Sequence, residues 1–270
     1  MFEMSTYAVF MLVGFFVMLM IGIPVAISLA VTGFVFGWLG FGETLFNLLP
    51  ARFYGIVSGY QWMAIPLFVF MGVMLEKSRL ADDLLDVMGH IAGGLKGGMA
   101  IGIVLFGVLM GATTGIVGAT IITLGLLTLP TLIRRGYDKS VACGVICASG
   151  TLGQIIPPSL ILILLSDIMQ LSVGTLFAAA VGPGMLLAAV YIVYLVVMGW
   201  LKPETMPPIP VAERDAVSRR QLWVRFFKVL VPPVMLVVAV LGSIVGGIAA
   251  PTEAASMGAV GAVLITALSG

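Results

Sequence analysis

Two short runs of glycine and hydroxyl residues carry the chemistry this sequence could do. One is Ala112-Thr113-Thr114-Gly115. The other is Ser149-Gly150-Thr151-Leu152-Gly153, followed at once by Gln154-Ile155-Ile156-Pro157-Pro158-Ser159. Neither run has a carboxylate nearby. Freed backbone carbonyls and Ser/Thr hydroxyls supply oxygen ligands, and the C-terminal ends of half-helices add partial negative charge. Such a neutral set suits a monovalent cation better than calcium or magnesium, which want carboxylates. Half-helix N-termini at the same breaks favour an anionic group. The alternative is that both runs are small-residue packing faces whose threonines bond to carbonyls of their own helices.

Composition limits what else is open. The 270 residues are 61% hydrophobic and 9% charged, with a mean hydropathy of +1.20. These values define an integral membrane protein. The formal net charge of +1 says little about partners, and no basic block points to nucleic acid. Cys143 and Cys147 are four apart, which is neither a redox nor a zinc spacing, and are expected to be small buried residues. His90 is the single histidine and is expected at the surface. His-Glu-x-x-His, Gly-x-Ser-x-Gly and the phosphate-binding Gly-x-x-x-x-Gly-Lys-Ser/Thr are absent, so no common hydrolase or ATPase signature is present. With no nucleophile–base pair or metal cluster in the apolar segments, the chain reads as a non-enzyme without a cofactor.

The elements that must hold the two runs follow from hydropathy. Residues 6–21 and 25–39 are apolar and together too long for one span, so two short helices meeting near Pro24 are expected. The first resembles a membrane helix rather than a cleaved leader, having no basic residues before it. Residues 41–59 mix polar and apolar residues as an interfacial segment does, and 61–75 form a further span. Residues 76–96 alternate charge with leucine and valine, which reads as an amphipathic arm at the membrane surface or a solvated linker helix.

Residues 97–135 have Lys96 before them, Arg134, Arg135 and Lys139 after, and Gly111–Gly115 at their centre. Basic residues flank the cytoplasmic side, so a re-entrant hairpin is expected, with one full span plus a loop as the alternative. Residues 138–167 follow as a broken span. Gly150 and Gly153 disfavour helix, Pro157 and Pro158 remove two N–H donors, and Ile156 is pushed toward extended backbone. A helix, an unwound loop and a second half-helix are expected. Broken backbone at membrane depth is tolerated where it is buried in protein or lines a cavity, which marks a site. Residues 171–200 return, with a kink at Gly182-Pro183-Gly184. Residues 201–228 are a basic cytoplasmic arm or linker, and 229–270 begin another set of spans. Counting from the basic loops places the N-terminus outside.

The 148–159 stretch, preceded by the glycine-centred hairpin and Arg134-Arg135-Gly136-Tyr137, resembles the large membrane subunit of tripartite ATP-independent periplasmic (TRAP) transporters. Gly22-Ile23-Pro24-Val25-Ala26, Ile65-Pro66-Leu67-Phe68 and Pro251-Thr252-Glu253-Ala254-Ala255 resemble it too, in the expected order. The wording at 111–115 and 149–154 is most similar to the branch labelled for mannitol or chloroaromatic compounds.

The resemblance implies an all-α polytopic protein of the bacterial inner membrane: the first inverted repeat of an elevator-type fold, with scaffold helices over 1–75. It implies a sodium-driven importer of organic acids. The implied partners are a small membrane subunit and a periplasmic substrate-binding protein. Ala112, Thr113, Thr114 and Gly115 would form the hairpin tip. Ser149, Gly150, Thr151 and Gly153, with Pro157 and Pro158, would form the facing break. Sodium would be held by backbone and hydroxyl oxygens at Thr113, Thr114, Ser149 and Thr151. Family members carry a second half with a second hairpin and second broken helix, so the sequence is expected to be an N-terminal half. The rival expectation is a membrane scaffold or inactive fragment that transports nothing.

Overall fold

The computed structural model describes residues 4–92, 94–115, 117–208 and 219–269. Among them it contains helices and no strand. Two units are distinct, residues 1–59 and 60–270.

In the first unit, α1 (Met4–Met20) and α2 (Val25–Phe41) pack against each other. Gly22 takes a positive φ between them, and Pro24 stands as the N-cap of α2. The pair of short helices expected around Pro24 is therefore present. Buried Thr32 donates its hydroxyl to the Ser28 carbonyl. The third helix, α3 (Thr44–Val57), buries none of its residues.

The second unit begins with a 3₁₀ turn, Tyr60–Met63, leading into α4 (Ala64–Glu76). After α5 (Arg79–Ala92) comes the hairpin: α6 (Gly98–Thr114) and α7 (Val117–Arg134). Gly115 ends α6 in the left-handed region, with its N–H donating to the Gly111 carbonyl. A side chain resists that conformation, so glycine sets the turn. Residues 112–114 are thus the last turn of α6, and Gly115, the last residue of the expected tip, ends it. Each arm is about 26 Å long at 1.5 Å per residue, close to the ~30 Å thickness of the hydrocarbon layer.

The broken span consists of α8 (Lys139–Ile155) and α9 (Leu160–Met169), bent by 40°. Asp138 caps α8 by accepting the N–H groups of Ser140 and Val141. Here the structure corrects an expectation. The Ser149–Gly153 run is helical, and the backbone opens only at 156–159. A glycine costs a helix about 1 kcal/mol, which tertiary contacts outweigh. Two missing proline donors are not recoverable within a helix.

Then come α10 (Val173–Leu201), which runs unbroken through the expected kink at Pro183, and a 3₁₀ turn at Pro203–Thr205. The next helix, α11 (Arg219–Val245), takes the basic residues of the expected linker and the following span into one element. Arg214 of that linker lies outside the described residues. The last helix is α12 (Pro251–Ser269). By length and composition, α7, α10, α11 and α12 can each cross a membrane, and the α8–α9 pair makes one further bent span. The chain is an integral, multi-pass membrane protein.

Two apolar clusters form around the break. Phe106, Met110, Leu124, Leu132, Ile146 and Leu152 build the first, from the hairpin and α8. Phe68, Met71, Ile163, Phe177 and Val240 build the second, around α4 and α9. The two halves of the broken span therefore belong to different cores.

Tyr137, in the turn between α7 and α8, is buried, and burial pushes its phenol up to about 12. In the unfolded chain a phenol ionises near 10. The stabilisation is complete below pH ~10 and is lost as the pH rises through ~12, amounting to about 2–3 kcal/mol. Tyr137→Phe is expected to flatten the fall in stability over that window, measured as unfolding midpoint against pH in detergent. An unchanged alkaline fall would place its cause elsewhere.

Candidate functional site

The hairpin meets the broken span backbone to backbone. A Cβ on Gly107 would sit 2.6 Å from the Ser149 carbonyl oxygen. One on Gly111 would sit 2.2 Å from the Gly153 Cα, and one on Gly115 would sit 3.3 Å from the Leu160 nitrogen. These three glycines recur every four residues, so they share one face of α6. That face runs along Ser149 and Gly153 and ends at the first turn of α9. From the other arm, Ile121 packs where a Cβ on Gly150 would fall, 2.3 Å from its Cγ1. The hairpin tip and the break are thus neighbours.

The break has its own chemistry. In a continued helix, Gly153 and Gln154 would receive N–H bonds from residues 157 and 158, and both are prolines. The bond between those prolines is cis. The Ser159 hydroxyl, fully buried, donates to the Gln154 carbonyl at 2.6 Å. Ser159 is also the N-cap of α9 but makes no side-chain bond to its first turn. The amides of that turn and the Gly153 carbonyl are therefore donors and an acceptor released by the break.

The expected site residues separate into two groups. Ser149 is fully buried against α6, and its hydroxyl has no hydrogen-bond partner. Gly150, Gly153, Pro157 and Pro158 are buried too. Thr151 is exposed and donates to the Ala148 carbonyl at 2.8 Å. Two residues along a helix is about 200° of rotation, so Ser149 and Thr151 face opposite ways. The structure does not bring their hydroxyls to one point. Ala112, Thr113 and Thr114 close α6 next to the break through their backbone; their side chains lie outside the description.

Two expectations about side chains change. Cys143 and Cys147 are free and exposed, because α6 covers the opposite face of α8, the one bearing Ala142, Val145, Ile146 and Ser149. Glu76, expected at the start of a surface arm, ends α4 instead, and its carboxylate accepts the hydroxyl of Thr123, partway along α7. Phe106, Met110, Thr120 and Leu124 surround the pair. A charged residue at the edge of an apolar run gave no sign of this, since its partner is 47 positions away.

A helical hairpin set against a proline-broken span, in a multi-pass helical bundle, is an arrangement that membrane transporters use. A family model described as "Tripartite ATP-independent periplasmic transporter, DctM component" matches residues 12–269. The chain belongs to this family, whose members reside in the bacterial inner membrane. It is 30% identical over 245 residues to the C4-dicarboxylate TRAP transporter large permease protein DctM of Vibrio cholerae, covering 90% of this chain and 52% of that protein. It is 31% identical to the ectoine TRAP transporter large permease protein TeaC of Halomonas elongata, covering 97% and 59%. It is 29% identical to the isethionate TRAP transporter permease protein DctMQ of Oleidesulfovibrio alaskensis, covering 92% and 38%. The chain spans about half the length of these relatives.

Four substitutions test the architecture by the unfolding midpoint of the purified protein. Gly111→Ala forces backbone apart and is expected to cost at least the ~1–3 kcal/mol of an overpacked core. Gly144→Ala, with nothing within 4 Å of its Cβ position, is expected to be neutral or better. Ser159→Ala strands the Gln154 carbonyl and is expected to cost about 1–3 kcal/mol, with Ser159→Thr recovering part. Equal midpoints for Gly111→Ala and Gly144→Ala would contradict the close approach.

Proposed function

We propose that this chain forms the hairpin-and-broken-helix part of the translocation path of a sodium-coupled importer of small organic acids. The working assembly adds a small membrane subunit and a periplasmic binding protein that delivers the substrate. The observation that carries this reading is the buried, unpartnered Ser149 hydroxyl on α8, the helix whose broken end leaves the Gly153 carbonyl without its helical donor. An unsatisfied buried hydroxyl costs about 1–3 kcal/mol, and a cation that accepts its lone pairs removes that cost. Sodium fits the neutral oxygen set. The backbone carbonyls at the end of α6, which lies against Gly153 and Leu160, add negative partial charge at the broken end of α8.

The acid is recognised at the other side of the break. The first turn of α9 has amide donors and no side-chain cap, and it opens beside Gly115 at the hairpin tip. A carboxylate is the natural acceptor for such donors. A cation at Ser149 and a carboxylate at the first turn of α9 would lie along the same α6–α8 contact, where each lowers the electrostatic cost of the other, and that is the proposed physical basis for coupling. The names of the relatives span a dicarboxylate, a sulfonate and a zwitterion, which supports an anionic group as the common feature and leaves the rest of the substrate to other contacts.

The scaffold reading draws on Thr151, whose hydroxyl already bonds within its own helix. Sodium titration separates the two. The purified protein is expected to gain thermal stability in NaCl over KCl at equal ionic strength. Ser149→Ala is expected to raise the sodium concentration for half the gain about tenfold, roughly 1.4 kcal/mol, while Thr151→Ala changes it little. Identical responses to the two salts would leave the scaffold reading standing.

A further inference from the structure

A groove of about 400 Å³ lies at the end of the bundle where the hairpin begins. It is lined by Gly94, Leu95, Lys96, Ile101, Val196 and Trp200. We infer that it holds an anionic phospholipid, with the phosphate at Lys96 and an acyl chain against Leu95, Ile101, Val196 and Trp200.

The groove is built from defined contacts. A Cβ on Gly199 would sit 2.7 Å from the Lys96 carbonyl oxygen, so the last turn of α10 lies directly on the connection between α5 and α6. The Gly97 N–H donates to the Met206 carbonyl at 3.2 Å, and the Asp138 N–H donates to the Thr205 carbonyl at 2.9 Å. These bonds gather the start of the hairpin, the start of α8 and the turn after α10 at one end. Ile101, only 9% exposed, floors the groove.

Its position selects lipid. The 29-residue apolar helix α10 ends at Leu201, so Trp200 falls at the membrane boundary, where tryptophan is favoured. Val193, Val197, Trp200 and Leu201 are all exposed, which makes the mouth continuous with an apolar helix face. Leu95 (61% exposed) and Trp200 (80% exposed) flank Lys96. A free solute would leave that face in contact with nothing of its own polarity; an acyl chain covers it.

Charge selects the headgroup. The same end carries Lys96, Arg134, Arg135, Lys139 and Lys202 against Asp138 and Glu204, and the Asp138 carboxylate is engaged in capping α8. Excess Lys and Arg mark the cytoplasmic side, where basic pockets between membrane helices attract anionic headgroups. The volume lies within the ~300–1,000 Å³ of small-ligand pockets and admits part of one chain, with the remainder in the bilayer.

Brominated lipids that quench tryptophan test this in neutral detergent. The signal is the part of the quenching lost in Trp200→Phe, which isolates Trp200 from the other three tryptophans. Dibrominated phosphatidylglycerol is expected to quench that part at about fivefold lower concentration than dibrominated phosphatidylcholine, the attraction of one surface lysine. Lys96→Gln is expected to abolish the preference, while Lys96→Arg and Lys139→Gln retain it. Equal quenching by the two lipids, or a preference surviving Lys96→Gln, would overturn the assignment. Loss of the preference on adding millimolar inorganic phosphate would overturn it too, in favour of a free-anion site.

Discussion

The contact between Gly111 and Gly153 is the constraint on which the rest of the structure depends. With no side chain on either residue, α6 and α8 approach until their backbones touch. Helices in a membrane gain little from hydrophobic exclusion and associate by close packing of this kind. The approach holds the Ser149–Gly153 run helical despite its two glycines. It buries Ser149 against Gly107 and sets the hairpin tip over the first turn of α9. Moving the helices apart by the width of a methyl group would disconnect the tip from the break.

The break lies between two apolar clusters. The hairpin and α8 share one apolar cluster, and α9 packs into another with α4 and the start of α10. Helices α10 and α11 run through both clusters, with Phe177 and Val240 in one and Ala188 and Val229 in the other, and at the break itself Ser159 satisfies one of the carbonyls the prolines strand.

Further contacts tie the hairpin to its surroundings through side chains. Glu76 on α4 accepts from Thr123 on α7, and Asp83 on α5 pairs with Arg225 on α11. The second pair is solvent-exposed and contributes little. The first lies among Phe106, Met110 and Leu124, where a carboxylate without its partner is costly.

Hydropathy, basic flanks and the Pro157-Pro158 pair by themselves determined an all-helical membrane protein, a hairpin near 97–135 and a broken span after it. Those signals are local: a missing N–H or a run of apolar residues acts wherever the chain goes. The extent of the break was not local, because glycine's weak helix preference yields to a neighbouring helix, and nothing in the sequence says that α6 lies there. For the same reason the tertiary structure alone decided that Ser149 is buried while Thr151 and Cys147 are not. Four-residue spacing shows which residues share a helix face, but only packing decides which face is covered. Glu76 is the same lesson across 47 positions: its charge was legible, and its partner was a product of the fold.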